Sequence, residues 1–132
     1  MALLIDTSVL VGLERQQSSP ALGQAESEEV FISAISASEL LHGVERAADE
    51  ARRARRQAFV ERVLHSVPVL PFDLDSARVH ARIWASLLRR GEMIGAHDLI
   101  IAATALSRGL AVLTHNTREF ARVDGLDLRG LE

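Results

Sequence analysis

ALLIDTS, residues 2–8, is the stretch of sequence that decides the fold. Its four apolar residues in a row are typical of a β-strand buried on both faces, and the run ends abruptly at polar Asp6, Thr7 and Ser8. The helical pattern of Val9 to Gln17 follows directly. Because this strand is apolar throughout rather than at every second residue, we expect it in a parallel sheet with helices on both faces.

The same alternation of strand and helix continues along the chain. Further apolar runs are VFI at residues 30–32, VPVLP at 67–71, LAVL at 110–113 and LDL at 126–128. Helical patterns follow a cap at Ser33, cover Asp49 to His65, run from a cap at Asp73 to Arg90, and cover Asp98 to Arg108. The prolines of VPVLP and the position of LDL indicate edge strands. The sequence therefore predicts an α/β fold, a three-layer α/β/α sandwich with a central parallel sheet.

Two of these helices have an apolar face that we expect to be buried. In the helix of residues 49–65 this face comprises Ala54, Ala58, either Val60 or Glu61, and Leu64. In the helix of residues 73–90 it comprises Ala77, Ala81, Trp84, Leu87 and Leu88. We expect Trp84 to pack in the core or against a second copy of the chain.

Composition excludes several classes of protein. Of the 132 residues, 48% are hydrophobic and 25% charged, which favours one globular domain spanning residues 1–132. The chain has no cysteine, which excludes disulfides, thiolate nucleophiles and cysteine-based zinc sites. All 15 cationic side chains are arginine, which excludes lysine-dependent sites such as the P-loop. No apolar run approaches the ~20 residues that span a bilayer, so we expect a cytoplasmic protein without membrane contact.

Four oxygen-bearing side chains lie just after predicted strands or near the start of helices. They are Asp6, Glu39, Asp98 and Asn116. Open parallel sheets bind their ligands at the carboxyl ends of the strands, where these residues would meet. Carboxylates gathered there need a compensating cation, and oxygen ligands without cysteine select Mg²⁺ or Mn²⁺. The pattern favours metal-dependent phosphoryl transfer or hydrolysis.

A simpler interpretation treats the acids as structural. Asp6 and Asp98 could each cap the helix that they adjoin. Glu39 speaks against this interpretation, because it lies inside a helix beside Leu40 and Leu41, where an acid needs a partner. Taken together, the three acids favour a functional site.

Four blocks of sequence resemble the PIN-domain family and, within it, the VapC toxins of bacterial toxin–antitoxin pairs. The blocks are LIDTS at residues 4–8, SELLHGVER at 38–46, GAHDLIIAA at 95–103 and LTHNTREF at 113–120. They stand in the family's order and spacing, and the resemblance covers the chain from Leu3 to about Leu128. It implies a Mg²⁺- or Mn²⁺-dependent endoribonuclease that cleaves RNA, forms a homodimer and is covered by a cognate antitoxin protein.

The resemblance also implies roles for individual residues. Asp6, Glu39 and Asp98 correspond to metal ligands, and Glu39 is either a ligand or a base that orients water. The supporting residues that would hydrogen-bond to them are Thr7, Ser8 and Thr114. The fourth catalytic position, often Asp in this family, is Asn116 here. Because an amide offers one neutral oxygen, we expect one firmly held metal ion, and a second to arrive with the substrate phosphate.

Other polar residues near the four blocks are candidate RNA contacts. Arg46 shares a helix face with Glu39, while His97 and His115 adjoin the third and fourth blocks. For the run Arg52–Arg56, a solvated helix face, an RNA contact and a partner contact all stay open. The pair Arg118 and Glu119 is expected to form a surface ion pair. The net charge of −3 argues against binding nucleic acid by bulk charge alone.

Two alternative functions remain. A PIN-like domain could bind nucleic acid or protein at the acidic residues without catalysis, which the amide at Asn116 favours. The same acids could also serve a metal phosphatase or a DNA nuclease. Cleavage assays that compare single-stranded RNA with DNA and small phosphoesters separate these functions.

Overall fold

Five parallel strands form one sheet in the order β3-β2-β1-β4-β5. The structure, a computed structural model, describes residues 2–16 and 29–130. The strands are β1 (Leu3–Ile5), β2 (Val30–Ser33), β3 (Val69–Leu70), β4 (Ala111–Thr114) and β5 (Leu128–Gly130). The helices are α1 (Thr7–Gln16), α2 (Ala34–Glu45), α3 (Glu50–Ser66), α4 (Leu74–Arg90), α5 (Ala96–Arg108) and α6 (Thr117–Phe120). Gln17, the predicted end of α1, lies outside the described residues.

Helices cover both faces of the sheet. Alternate residues of β1 point to opposite faces, so Leu3 and Ile5 join one buried cluster and Leu4 joins the other. Helices α1, α2 and α3 complete the first cluster, and α4, α5 and α6 complete the second. The predicted three-layer α/β/α sandwich with a central parallel sheet is confirmed.

The order of the strands places three carboxyl ends side by side. β1 lies between β2 and β4, with Leu3 paired to both Val30 and Ala111. β3 and β5 are the edge strands, as the sequence predicts. Because all the pairs are parallel, side chains that follow β1, β2 and β4 emerge at the same edge of the sheet.

Capping residues set the helices that carry the site. Ser33 is the N-cap of α2, where its side chain accepts a hydrogen bond from the backbone N–H of Ser36. Asp73 caps α4 in the same way. Gly109 ends α5 with a φ of 67°, a left-handed conformation that favours glycine.

Among the helices of the described residues, none combines the length and apolar character needed to cross a membrane.

The apolar face predicted for α4 is confirmed at Leu87 and wrong at Ala81, Trp84 and Leu88. The buried residues of this helix are Ser76, Ile83 and Leu87, whereas Trp84 is 49% exposed and Leu88 58% exposed. A polar contact decides the orientation, because the Ser76 hydroxyl accepts a hydrogen bond from Arg108 of α5 at 3.0 Å. Apolar residues cover a broad face of α4 that includes both Ile83 and Trp84, so their spacing alone does not identify the part that is buried.

The predicted face of α3 is also wrong in part. Ala54 and Ala58 are exposed, and the buried positions include Val60 and Val63. The arginines explain the difference, because the Arg56 guanidinium donates to the Gly43 carbonyl at 2.9 Å, near the C-terminus of α2. Backbone carbonyls at a helix C-terminus lack partners within the helix, and Arg56 supplies one.

Candidate active site

Polar side chains from several elements meet at the carboxyl edge of the sheet. Asp6 follows the last residue of β1, Thr114 ends β4, and Asn116 comes two residues later. Glu39 lies in the second turn of α2, and Asp98 lies in the first turn of α5. The negative charges of Asp6 and Glu39 act on the carboxyl of Asp98 and contribute to its raised pKa. The structure therefore brings the three predicted acids to one place.

Asp6 is the most deeply buried acid among the described residues, with 3% of its surface exposed. Its Oδ2 accepts a hydrogen bond from Ser8 Oγ at 2.8 Å and another from Thr114 Oγ1 at 2.7 Å. No donor within residues 2–16 and 29–130 reaches its Oδ1. A buried carboxylate oxygen without a donor is unfavourable unless a cation binds it.

Thr114 connects Asp6 to the chain that follows β4. This residue is fully buried, and its Oγ1 both donates to Asp6 and accepts the backbone N–H of Asn116 at 2.8 Å. The hydroxyl therefore fixes the carboxylate and starts the turn that leads into α6. Ser8 makes a similar link, because its Oγ accepts the backbone N–H of His115 at 3.3 Å.

We expect Thr114→Val to lower the free energy of unfolding by about 2 kcal/mol, because the buried Asp6 carboxylate loses one of its two donors and the partly buried Asn116 N–H loses its acceptor. Urea denaturation followed by circular dichroism measures this loss. Thr104→Val is the matched control, since the buried Thr104 hydroxyl bonds only the Ile100 carbonyl of its own helix. Equal stability of the Thr114→Val variant and the wild type would show that the hydroxyl does not hold Asp6.

Glu39 is positioned by contacts with two other elements. Its Oε1 accepts a hydrogen bond from Thr7 Oγ1 of α1 at 3.0 Å. Its Oε2 lies 3.6 Å from Nδ1 of His97, the residue that precedes Asp98 in α5. One third of the Glu39 side chain is exposed, so the carboxylate faces both the buried acids and solvent. This placement is compatible with a ligand and with a base that orients water.

Asp98 has the most strongly perturbed pKa of the site. Burial raises the pKa of its carboxyl to about 7, with further contributions from a hydrogen bond to Glu119 and from the charges of Asp6, Glu119 and Glu39. The Asn116 amide connects the two carboxyl groups, since its Nδ2 donates to Asp98 Oδ2 at 3.3 Å and to Glu119 Oε2 at 3.1 Å. Four acids thus face each other at the end of the sheet.

Glu119 is the residue of this cluster that sequence reasoning missed. We expected it to form a surface ion pair with Arg118, but it contacts Asp98 and Asn116 instead. The hydrogen bonds from Asp98 and Asn116 lower the pKa of Glu119. One signal could have identified it, because residues three apart share a helix face and Glu119 lies three residues after Asn116.

The candidate RNA contacts differ in their distance from the acids. His97 touches Glu39 and is 56% exposed, so it lies at the rim of the site. The imidazole of His115 lies against Gly12 of α1, where a Cβ on Gly12 would meet its Nε2 at 3.5 Å. Arg46 comes after the last residue of α2, about 10 Å along the helix axis from Glu39.

The Arg52–Arg56 run belongs to the other end of α2. Arg53 donates to the Glu45 carbonyl at 3.3 Å, and Arg56 binds the Gly43 carbonyl and lies 3.9 Å from Glu14. Since α2 starts at the carboxyl edge of the sheet, its C-terminus points away from the acids. Arg53 and Arg56 therefore pack helices together, which favours a structural role for these two arginines.

The donor set fits a divalent cation, although the acids do not yet converge on a single point. Within residues 2–16 and 29–130, no three His, Asp or Glu side chains are arranged as a ready metal site. Asp98 is turned toward Asn116 and Glu119 rather than toward Asp6. Yet the unpartnered Oδ1 of Asp6 and the mutual repulsion of the carboxylates are the features that a hard cation with oxygen ligands relieves.

The sequence and fold of this chain match one protein family. The sequence model described as PIN domain matches residues 3–126. The chain belongs to the PIN domain family.

Individual relatives are similar over most of the chain. Ribonuclease VapC1 of Rickettsia felis is 39% identical over 132 residues, covering 97% of this chain and 95% of the relative. The tRNA(fMet)-specific endonuclease VapC of Shigella flexneri is 39% identical over 95 residues, covering 72% and 70%. VapBC-5 from Mycobacterium tuberculosis, a solved member of the VapBC family of toxin-antitoxin systems, is similar with a TM-score of 0.77 and 33% identity, covering 99% and 98%.

Proposed function

We propose that this protein is an endoribonuclease that hydrolyses RNA phosphodiester bonds with Mg²⁺ or Mn²⁺, and that it is the toxin of a type II toxin–antitoxin pair. One observation carries the proposal: Asp6, Glu39 and Asp98 meet at the carboxyl edge of the sheet, and Asp6 has a buried oxygen that no donor satisfies. The names of the relatives support it, because they are ribonucleases and a toxin–antitoxin system.

Asp6, Glu39 and Asp98 would hold the metal ion. A bound divalent ion supplies positive charge for the phosphate and makes an attacking water more acidic. The protein contributes rigidity, since Ser8 and Thr114 fix Asp6 and Thr7 fixes Glu39 before the substrate arrives. Glu39, being partly exposed, either binds the ion or orients the water, and His97 beside it can meet a phosphate oxygen.

RNA cleavage by the purified, antitoxin-free protein tests the proposal. Total cellular RNA and tRNA(fMet) are incubated separately with Mg²⁺, with Mn²⁺ and with EDTA, and fragment ends are sequenced. Discrete ends in either metal that are absent in EDTA are expected. Folded protein that leaves RNA intact in both metals contradicts the proposal and favours a binding module without catalysis. Cleavage of DNA or small phosphoesters in preference to RNA would favour the other hydrolases.

The proposed antitoxin is a protein that covers the acidic edge. Glu39, Asp98 and Glu119 place carboxylates at this edge, so a cationic segment of a partner protein would compete with RNA there. Addition of a purified antitoxin should suppress cleavage and bind one-to-one to this chain.

The exposed stripe of α4 is the surface that we propose for a homodimer. The stripe consists of exposed Leu74, Ala81, Trp84 and Leu88 and partly buried Ala77, spaced alternately three and four residues apart as in a two-helix seam. In an antiparallel pair, Leu74 of one copy meets Leu88 of the other. Trp84 and Leu88 are both about half exposed and lie on one face of α4, so the stripe is an apolar surface that a second copy of this chain would cover.

A Trp84→Glu variant is expected to shift the protein from dimer to monomer, because each copy would place a charge in an apolar contact. Light scattering after gel filtration measures the mass against the 14.4 kDa of one chain. Ala58→Glu, at an exposed position of α3, is the matched control and should stay dimeric. A wild type that elutes as a monomer at tens of micromolar overturns the assignment.

A further inference from the structure

A row of hydroxyl groups connects the start of α2 to Glu39. Ser33, the N-cap of α2, and Ser36, in its first turn, are both fully buried, and their Oγ atoms lie 3.1 Å apart. Ser36 Oγ lies 2.9 Å from Thr7 Oγ1 of α1, which in turn lies 3.0 Å from Glu39 Oε1. The Glu39 side chain is one third exposed, so these hydroxyls connect an accessible acid to the interior of the protein.

The number of hydroxyl hydrogens sets the direction of these hydrogen bonds. A hydroxyl has one hydrogen to donate, whereas an ionised carboxylate only accepts. Thr7 has two acceptors within reach, Ser36 and Glu39, and a charged oxygen is the stronger acceptor. With Thr7 donating to Glu39, Ser36 can donate to Thr7 and accept from Ser33, whose oxygen accepts the backbone N–H of Ser36. In this arrangement every hydroxyl hydrogen has an acceptor.

Ser36 keeps the hydroxyl of Thr7, and not its methyl group, directed at Glu39. A threonine side chain has few allowed χ1 rotamers, and a change of rotamer moves the hydroxyl out of its place. Within residues 2–16 and 29–130, Ser36 is the only group besides Glu39 in hydrogen-bond contact with the Thr7 hydroxyl. Hydrogen bonds in series also strengthen one another, so donation by Ser36 makes Thr7 a better donor to Glu39.

We propose that Ser36 is a positioning residue that acts on Glu39 through Thr7. The Ser36 side chain is fully buried, so it cannot contact RNA itself. The inference rests on the proposed function, in which Glu39 binds the metal ion or orients the water. It predicts that loss of the Ser36 hydroxyl slows the chemical step and leaves RNA binding unchanged.

Cleavage of one defined RNA in Mn²⁺ by a Ser36→Ala variant tests the inference. We expect kcat to fall about 5- to 10-fold, the effect of one lost hydrogen bond, while KM stays within about twofold of the wild type. Ser36→Cys, in which a weakly donating thiol fills the same buried space, should show the same loss and replaces Ser36→Ala if that variant does not fold. Circular dichroism shows whether each variant is folded at the assay temperature.

The matched control is Ser76→Ala. Ser76 occupies in α4 the position that Ser36 occupies in α2, because it is fully buried and donates its backbone N–H to the side chain of an N-cap three residues earlier. Its hydroxyl accepts from Arg108, which lies at the other end of α5 from Asp98, about 15 Å away along the helix axis. Ser76→Ala should therefore lower the stability but not kcat.

A Thr7→Val background shows whether Ser36 acts through Thr7. Valine keeps the branched shape of threonine but has no hydroxyl to donate. In this background Ser36→Ala should change kcat by less than about twofold, because the effects of residues that act as a unit are not additive. An equal loss of kcat in the wild-type and Thr7→Val backgrounds would overturn the inference.

Two further outcomes would overturn the inference and leave the proposed function intact. One is wild-type kcat in a folded Ser36→Ala variant, and the other is an equal loss of kcat in Ser76→Ala, since any buried serine would then have the same effect. A wild type that leaves RNA intact contradicts the proposed function alone. Urea unfolding of the wild type, both single variants and the double variant then tests the inference, and additive losses of stability from Thr7→Val and Ser36→Ala would overturn it.

Discussion

An Asp98→Asn variant is expected to lose about a thousandfold in RNA cleavage. Asp98 lies in the first turn of α5 between the charges of Asp6, Glu39 and Glu119, and its carboxylate is the group through which α5 would hold the metal ion. Loss of one charged ligand removes several kcal/mol of electrostatic stabilisation of the transition state, and about 4 kcal/mol corresponds to a thousandfold. Initial rates on one defined RNA in Mn²⁺ measure the effect.

The matched control for this variant is Asp127→Asn. Asp127 is exposed just before β5, at the opposite end of the strands, and its side chain makes no described contact. It should cleave at the wild-type rate. Asp98→Asn should also be at least as stable as the wild type in EDTA, since it removes one of four facing charges. Cleavage by Asp98→Asn within tenfold of the wild type would exclude Asp98 as a metal ligand.

Local sequence patterns were sufficient to predict the architecture and the position of the acids. The apolar runs identify strands, and caps such as Ser33 and Asp73 mark the starts of helices within one or two residues. Because parallel strands place their carboxyl ends together, Asp6 and Asp98 could be assigned to one edge although 92 residues separate them. The prediction of RNA cleavage, and of the role of each acid in it, came from the resemblance to the family.

Long-range polar contacts could not be predicted from the same patterns. Ser76 lies on the buried face of α4 because Arg108 of α5 donates a hydrogen bond to its hydroxyl. With Ser76 buried, Trp84 lies on the exposed face of the same helix. Glu119 looks like half of a surface ion pair until the fold brings α6 against the start of α5. For both Ser76 and Glu119, the local sequence pattern is compatible with a buried and with an exposed side chain. A contact with a residue distant in sequence determines which of the two is found.

The metal-free protein is expected to lose stability as the pH rises from 5.5 to 8. Burial and the surrounding acids raise the pKa of Asp98 to about 7, well above its value of 3.8 in an unfolded chain. The folded state therefore holds a proton that the unfolded state releases. This contribution is fully present below about pH 4 and is lost as the pH rises through 7.

The contribution of Glu119 to stability has the opposite pH dependence, and it changes at lower pH. The hydrogen bonds from Asp98 and Asn116 lower its pKa from the usual 4.5, so its contribution is present above pH 4.5 and is lost as the pH falls through the lowered value. The pair is most stable with one proton shared between the two carboxyl groups. The combined contribution of the two carboxyl groups to the stability of the metal-free protein should accordingly be largest near pH 4 to 4.5 and decline above it.

Thermal unfolding in EDTA measures the effect of this shared proton. Each pKa unit corresponds to about 1.4 kcal/mol, so the range from pH 5.5 to 7 accounts for at most about 2 kcal/mol, or roughly 6 °C in Tm. Asp98→Asn is the decisive comparison, because it keeps every histidine and removes only the shared proton, and its Tm should stay nearly flat over this range. A wild type with the same flat profile would contradict the raised pKa.

With saturating Mg²⁺, the stability of the wild type should rise rather than fall as the pH increases from 5.5 to 8. A carboxylate binds the ion only after losing its proton, so metal binding to Asp98 competes with protonation and grows stronger as the pH rises toward 8. The stabilisation by Mg²⁺ should therefore be small at pH 5.5 and large at pH 8, where the four acids carry their full charge. An equal stabilisation at both pH values would mean that the ion binds elsewhere and that Asp98 keeps its proton.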